Sequence, residues 1–305
     1  MKRLFTYLFY ASLIFLGIYL YKADYLSIPK IISGQYLGIS IALLFTGFFV
    51  QYFNWRNVLR IFNLHVSLPD TIRSVSLTIF MKYIPGKVMV MLGRAAYISS
   101  RYNASLEYTS TASVFSQIIA LWVGFLLGSI VLFNPEISIS WQIISFIIFL
   151  GLSIALIFPG LLKIVFNLFF RILKRRVEYP RLRHRDMLAA LPPFIITWLC
   201  WGFGFYFLTL SMVDLEIPFT FGFAFPLAGA LAIVSLFAPG GLGIREGLLV
   251  SSMLIYDIPL GDATTIALAS RLWFLLGESA FFGLGLLLQF LENKKPEISK
   301  EHIRD

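Results

Sequence analysis

Long apolar stretches separated by short polar segments run through almost the whole chain. A bilayer core about 30 Å thick is crossed by roughly 20 apolar residues in a helix. Six stretches approach or exceed that length: 5–21, 36–53, 108–133, 141–159, 189–212 and 262–290. We therefore predict an all-α, polytopic membrane protein with about six full spans.

Two further apolar stretches, 70–100 and 222–256, are each interrupted near the middle, by Pro85-Gly86 and by a Pro-Gly-Gly run at 239–241. As straight helices they would measure about 46 and about 52 Å, which exceeds the bilayer core. We predict instead two re-entrant hairpins, each made of two short helices that enter and leave on the same side. Non-helical backbone at membrane depth is tolerated only where protein buries it or where it lines a wet cavity.

The interrupted stretches match each other at a constant offset of 154 residues. Leu106 then corresponds to Leu260, and Ser116 to Ser270. Three crossings separate the two interruptions, and an odd number of crossings inverts one copy relative to the other. We therefore predict an inverted repeat, which is typical of transporters whose substrate site lies near the midplane.

The basic residues are distributed unequally between the two sides that this topology predicts. With a cytoplasmic N-terminus and returning hairpins, the external loops carry only Lys22 and Lys30 as cations. The other loop cations fall on the cytoplasmic side, as the positive-inside rule requires. We predict a cell-membrane protein with both termini in the cytoplasm. A single transmembrane domain would cover 1–292, with repeat halves at about 36–159 and 189–290, a basic cytoplasmic loop at 160–188, and a cytoplasmic tail at 293–305.

The N-terminal apolar run resembles a secretory signal, because Lys2 and Arg3 precede it. It ends near Tyr21, and no small-residue cleavage site follows. We therefore predict that it is retained as the first span.

Composition agrees with a membrane protein and excludes several other classes. The chain is 58% hydrophobic and 13% charged, whereas a soluble domain carries about 25% charged residues. A pI near 9.6 would also suit a nucleic-acid-binding protein. The basic residues, however, lie mainly between the apolar spans, where they orient the protein and contact anionic lipid. We predict a membrane lipid as the partner, and no nucleic acid.

The chain lacks the patterns of common cofactor sites. Cys200 is the only cysteine, and the three histidines are scattered without metal-ligand spacing. Gly86-Lys87 does not stand within a phosphate-binding Walker motif. We predict no cofactor, no metal centre and no ATP coupling.

The most distinctive polar sequence is Pro-Gly-Gly-Leu-Gly-Ile-Arg-Glu-Gly at 239–247. Together with Lys-Tyr-Ile-Pro-Gly-Lys at 82–87 and with Arg271, it resembles the flippase-like family related to the transmembrane domain of lysylphosphatidylglycerol synthase. The resemblance extends from the first span to about residue 290. It implies an inner-membrane protein that moves a lipid or a lipid-linked headgroup between leaflets. Only a short polar tail follows the last predicted span, so we do not expect lysyl transfer.

A substrate site is predicted at the second interruption. A helix that restarts after Gly240, Gly241 and Gly243 presents free backbone N–H groups and the positive end of its dipole, which attract anions. Arg245 adds a planar cation suited to a phosphate. Glu246 either neutralises Arg245 or receives an amine of the headgroup.

The first interruption offers a similar break followed by the cation Lys87. On the last span Arg271 and Glu278 share a helix face, but they stand about 10 Å apart and cannot pair directly. We expect both to face the protein interior. Lys87, Arg245 and Arg271 would then surround a lipid phosphate. The complete predicted substrate-binding set is Lys87, Gly240, Gly241, Gly243, Arg245, Glu246, Arg271 and Glu278, with no catalytic residue.

Structural roles are alternatives for the same residues. The glycine run would permit close helix packing, and Arg245 would hold the fold through an ion pair with Glu246 or Glu278. Lys82 is expected to extend its ammonium group towards the membrane interface.

The leading hypothesis is a flippase-like translocase for a phospholipid or a polyprenyl-phosphate-linked lipid. One alternative is a membrane-embedded enzyme with Glu246 or Glu278 as its base. Another is an accessory subunit that holds a lipid- or glycan-modifying membrane enzyme through the basic loop. We expect a transporter rather than an enzyme, because no nucleophile or carboxylate pair stands near the interruptions. The oligomeric state is left open.

Overall fold

The computed structural model describes residues 30–83, 88–132, 134, 137–172, 182–235 and 243–293. Every regular element within these ranges is helical, as the apolar pattern predicts. Five helices are long and apolar enough to span a membrane: α1 (Gly34–Ile61), α4 (Leu106–Leu132), α5 (Ile139–Ile157), α7 (His184–Leu210) and α10 (Leu260–Asn293). They coincide with five of the six predicted plain spans. The sixth, at 5–21, lies outside the described residues.

The described residues of both interrupted stretches form short helices. The interruptions themselves, Pro85-Gly86 and 239–241, lie outside the described residues. The first contains α2 (Leu68–Ser76), a 3₁₀ helix (Ile79–Tyr83) and α3 (Val88–Tyr102). The second contains a 3₁₀ helix (Phe219–Phe223), α8 (Ala224–Val234) and α9 (Ile244–Leu254).

None of these α-helices is long enough to cross the bilayer alone. The longest, α3, has 15 residues, which corresponds to about 22 Å. Within each stretch the helices before and after the interruption pack against each other. Their return to the same side of the membrane stays a prediction.

Two local features recur at the predicted offset. Helices α4 and α10 begin at Leu106 and Leu260, which are 154 residues apart. Asn103 and Asp257, also 154 apart, have φ angles of 52° and 57°. This left-handed backbone, which Asn and Asp tolerate better than most residues, lies just after α3 and just after α9. The chain therefore leaves both short helices in the same way.

Helices α1 and α7 form the most extensive helix pair of the fold. The Ser40 hydroxyl donates to the Gly204 carbonyl at 2.7 Å. Near the other end, Asn57 Nδ2 donates to the Ala189 carbonyl at 2.8 Å. Pro193 has no N–H for that carbonyl, which is its i−4 position in the helix. Side chains of α1 thus donate to backbone carbonyls of α7. Asn57 replaces the N–H that Pro193 lacks.

Aromatic side chains fill the space where α1, α7 and α10 meet. The Phe48 ring lies 4.9 Å from Phe274 and 5.2 Å from Trp201, measured between centroids. Phe281 lies 5.4 Å from both Phe48 and Tyr52. This aromatic cluster (Phe48, Tyr52, Trp201, Phe274 and Phe281) forms the apolar support beside the candidate site.

An ionic network fastens the C-terminal end of α10 to α2 and α3. Arg73 and Arg101 both pair with Glu292. Arg101 Nε also lies 2.7 Å from Asp70 Oδ1, and the Tyr102 hydroxyl donates to Asp70 Oδ2 at 2.7 Å. The network lies on the side that the charge pattern assigns to the cytoplasm.

The segment predicted as a basic loop at 160–188 is partly helical. Helix α6 covers Pro159–Ile172 and packs against α5. Leu162 and Phe166 are buried, whereas Leu161 and Ile164 are exposed. The cytoplasmic placement of this segment stays a prediction, since charge identifies the side of the membrane without excluding a helix.

Candidate functional site

The start of α9 brings a charged pair into the protein interior. Gly243 precedes the helix with a φ of 82°, which a residue with a side chain adopts only under strain. Its N–H donates to Glu246 Oε2 at 2.8 Å, so the first turn caps itself. Arg245 and Glu246 are only 6% and 7% exposed. Burial of two ionisable groups in a membrane domain is costly and indicates a functional or pairing role.

Helix α10 supplies the second buried charged pair. Arg271 is 2% exposed and Glu278 is fully buried, so both face the interior, as the sequence predicts. They do not pair with each other. Arg271 Nε lies 3.7 Å from Glu246 Oε1, and Glu278 pairs with Lys82. The Tyr83 hydroxyl donates to the second oxygen of Glu278 at 2.9 Å.

The ion-pair partners differ from those considered in the sequence. The expected pairs joined Arg245 to Glu246 or to Glu278, but Glu246 contacts Arg271 and Glu278 contacts Lys82. Consecutive helical residues point in different directions, so the partner of Glu246 comes from another helix. The expectation that Lys82 reaches the interface was also wrong, because its ammonium group turns inward to a buried carboxylate.

Arg245 is held mainly by aromatic rings. Its guanidinium carbon lies 4.5 Å from the Phe225 ring centroid and 5.1 Å from that of Phe274. Nη2 reaches the Ser270 carbonyl and hydroxyl oxygens at 3.4 Å, which is long for a hydrogen bond. Nε is buried and makes no hydrogen bond. Arg245 therefore has no short hydrogen bond to another described residue.

A cavity of about 720 Å³ lies beside these cations. Lys82, Arg245, Arg271 and Arg94 all line it, together with Phe274 and other apolar side chains. No carboxylate is among its lining residues within the described part of the chain. The volume is within the range of about 300–1,000 Å³ that small-ligand sites occupy.

Arg94 is the fourth cation of the cavity. Its Nε donates to Ser113 Oγ at 2.6 Å, and its Nη2 donates to the Ser113 carbonyl at 2.8 Å. Its guanidinium carbon lies 4.5 Å from the Trp55 ring centroid. Among the described residues, no carboxylate forms an ion pair with it.

The structure brings together most of the predicted site residues that it describes. Arg245, Glu246, Arg271 and Glu278 form one cluster, and Gly243 shapes the turn that begins it. Lys87, Gly240 and Gly241 lie outside the described residues, so their placement stays a prediction.

Sequence reasoning missed three members of the site. Lys82 and Tyr83 contact Glu278, although Lys82 had been expected at the interface and Tyr83 had no assigned role. Arg94 was counted only as a cytoplasmic charge. The available signal was its position among apolar residues of α3, between Gly93 and Ala95.

The described residues contain no candidate metal centre. No group of three or more His, Cys, Asp or Glu side chains there is placed to hold an ion.

Comparison with known families gives one match. Residues 4–276 match the family model described as lysylphosphatidylglycerol synthase TM region. Neither a curated protein nor a solved structure matches the chain.

Proposed function

Because the chain belongs to the family of the lysylphosphatidylglycerol synthase transmembrane region, we propose that it is a flippase-like translocase. It would move a phospholipid or a polyprenyl-phosphate-linked lipid between the leaflets of the cell membrane. The family and the five apolar helices make it a membrane protein with a lipid-related function. Translocation is the further step of the proposal.

The observation that supports translocation most directly is the cationic cavity. Four cations line it: Lys82, Arg94, Arg245 and Arg271. Glu278 and Glu246, which pair with Lys82 and Arg271, are not among its described lining residues. Four positive charges against two negative charges leave two in excess. A cation buried in a membrane domain is unfavourable without a partner, so an anionic ligand stabilises this cavity.

The chemistry of the cluster favours a phosphate. Guanidinium groups donate paired N–H bonds to phosphate oxygens, and such charge-assisted bonds are stronger than neutral ones. The rest of the wall is mostly apolar and aromatic. A phosphate-bearing headgroup with an apolar tail satisfies both parts of that wall.

The interrupted stretches supply the means of movement in this proposal. Arg245 lies in the first turn of α9, and Lys82 lies near the end of the 3₁₀ helix of the first stretch, so each stretch contributes a cation to the cavity. As halves of an inverted repeat they would open the cavity to one leaflet at a time. Short helices that end within the membrane can tilt without moving a complete span.

A leaflet-resolved assay tests the proposal. Purified protein is reconstituted with headgroup-labelled phosphatidylglycerol, and a membrane-impermeant quencher reports the lipid that reaches the outer leaflet. We expect transport by the wild type and at least about 10-fold slower transport by Arg245→Ala and Arg271→Ala, since each removes charged hydrogen bonds. Arg60→Ala is the matched control, because Arg60 is exposed at the end of α1 and does not line the cavity.

The outcomes separate the competing functions. Wild-type rates in both cavity variants would remove the site assignment. Headgroup turnover by the pure protein would favour the membrane-embedded enzyme, and activity only beside a co-purified membrane enzyme would favour the accessory role.

A further inference from the structure

Two groups of cations line the cavity at different depths. The inner group consists of Lys82, Arg245 and Arg271, and its charges are shared with Glu246 and Glu278. Arg94 stands apart from this group on α3. A site for one headgroup would not require Arg94, which has no carboxylate partner among the described residues.

The distance between the inner group and Arg94 follows from contacts along α1. Lys82 Nζ lies 4.9 Å and the Arg245 guanidinium carbon 5.1 Å from the Phe274 ring centroid. The Phe274 ring packs against Phe48 of α1, with 4.9 Å between the ring centroids. Arg94 contacts Trp55, which follows Phe48 by seven residues, or about 10 Å along the helix. Arg94 therefore lies roughly that far from the inner group, towards the end of α1 that the charge pattern assigns to the cytoplasm.

Polar side chains occupy the cavity wall between Arg94 and the inner group. Gln51 and Asn54 of α1 line the cavity between Phe48 and Trp55, and Thr197 of α7 faces them. Asn54 Nδ2 donates to Thr197 Oγ1 at 3.1 Å. Buried polar groups in a membrane domain are retained where they meet a polar ligand or each other. A polar strip thus connects Arg94 to the inner group within one cavity.

Arg94 is also held in a fixed orientation. Two of its donors are engaged by Ser113, and the ring of Trp55 supports the guanidinium plane. An arginine has five N–H donors, so three are not used by Ser113. A guanidinium held in this way is preorganised for an anion, which reduces the entropic cost of binding.

We propose that Arg94 forms a second, cytoplasmic-side phosphate site, from which a headgroup passes along Gln51 and Asn54 to the inner cations. The inference rests on the proposed translocase function for its direction, but the phosphate site itself is independent of transport. Its ligand is a phosphate group, supplied either by a lipid headgroup or by free phosphate.

Binding and transport are measured separately on the full chain. The protein is delipidated in detergent and titrated with short-chain phosphatidylglycerol, with phosphatidylcholine, or with inorganic phosphate, and native mass spectrometry counts the bound molecules. We expect the wild type to bind phosphatidylglycerol at both sites. In Arg94→Gln the inner cations remain, so one molecule should bind as in the wild type and the second about 10-fold or more weakly, the factor expected for a lost charged hydrogen bond. Arg94→Lys keeps the charge and retains part of the affinity. Arg60→Gln is the matched control and binds as the wild type does.

Transport kinetics then identify the role of the site. In the leaflet-resolved assay, Arg94→Gln raises the lipid fraction needed for half-maximal transport while the maximal rate stays close to the wild type. Binding of inorganic phosphate lost in Arg94→Gln would identify free phosphate as the source. Wild-type affinity for all three ligands in Arg94→Gln overturns the proposal. If the wild type binds through Arg94 but transports no lipid, the second site stands and the translocase function fails.

Discussion

Lys82→Met removes the cation that pairs with the fully buried Glu278. Loss of one partner from a buried ion pair costs about 3–5 kcal/mol, because the remaining charge stays in a poorly solvating environment. Tyr83 still donates to Glu278, so we expect the lower end, about 3 kcal/mol. For domains of 150–250 residues, each kcal/mol shifts Tm by about 2–4 °C. The expected decrease is therefore about 6–12 °C, measured by thermal unfolding of the purified protein in one detergent.

The double variant Lys82→Met/Glu278→Gln separates this charge effect from packing. Glutamine keeps an acceptor for the Tyr83 hydroxyl and removes the buried negative charge. We expect the double variant to recover more than half of the Tm that Lys82→Met loses. Lys30→Met is the matched control, since Lys30 is exposed, and its Tm should equal that of the wild type. A double variant that is as unstable as the sum of its single variants would refute the proposed coupling between the two charges.

Two further substitutions test the packing of the helices by the same thermal measurement. Gly277→Ala places a Cβ atom 2.3 Å from the Phe48 ring and should cost about 1–3 kcal/mol by overpacking. Gly283→Ala on the same helix has open space around it and should be neutral or stabilising, so equal Tm values for the two variants would contradict this packing. Asn57→Leu removes the donor of the exposed Ala189 carbonyl. We expect a loss of about 0.5–1.5 kcal/mol, whereas an unchanged Tm would show that another group satisfies that carbonyl.

The spans could be read from the sequence because their length and apolar character follow from bilayer physics. An apolar stretch of a given length has few alternatives in a membrane. A Pro inside a helix removes one backbone hydrogen bond and clashes with the preceding turn, so a Pro-Gly pair favours a helix end. The positions of α4 and α10 agree with the rule for spans, and the two interruptions stay predictions.

Ion-pair partners could not be read from the sequence because they depend on distant segments. Lys82 and Glu278 are separated by 196 positions, and Glu246 meets Arg271 across two helices. Sequence reasoning considered Arg245 as the partner of Glu246 or of Glu278, and neither pair forms. Arg94 was missed for a related reason, since charge counting assigns a residue to a side of the membrane without resolving its depth.

The polar contacts between α1 and α7 have a consequence for biosynthesis. Ser40, Asn54 and Asn57 meet their partners across sequence separations of 164, 143 and 132 residues. At about 5–20 residues per second, the ribosome needs roughly 7–30 s to make the intervening chain. During that interval α1 has its amides and hydroxyls in place and no helix to receive them. We expect the nascent protein to keep α1 beside the insertion machinery until α7 emerges, which makes this pair the slow step of its assembly.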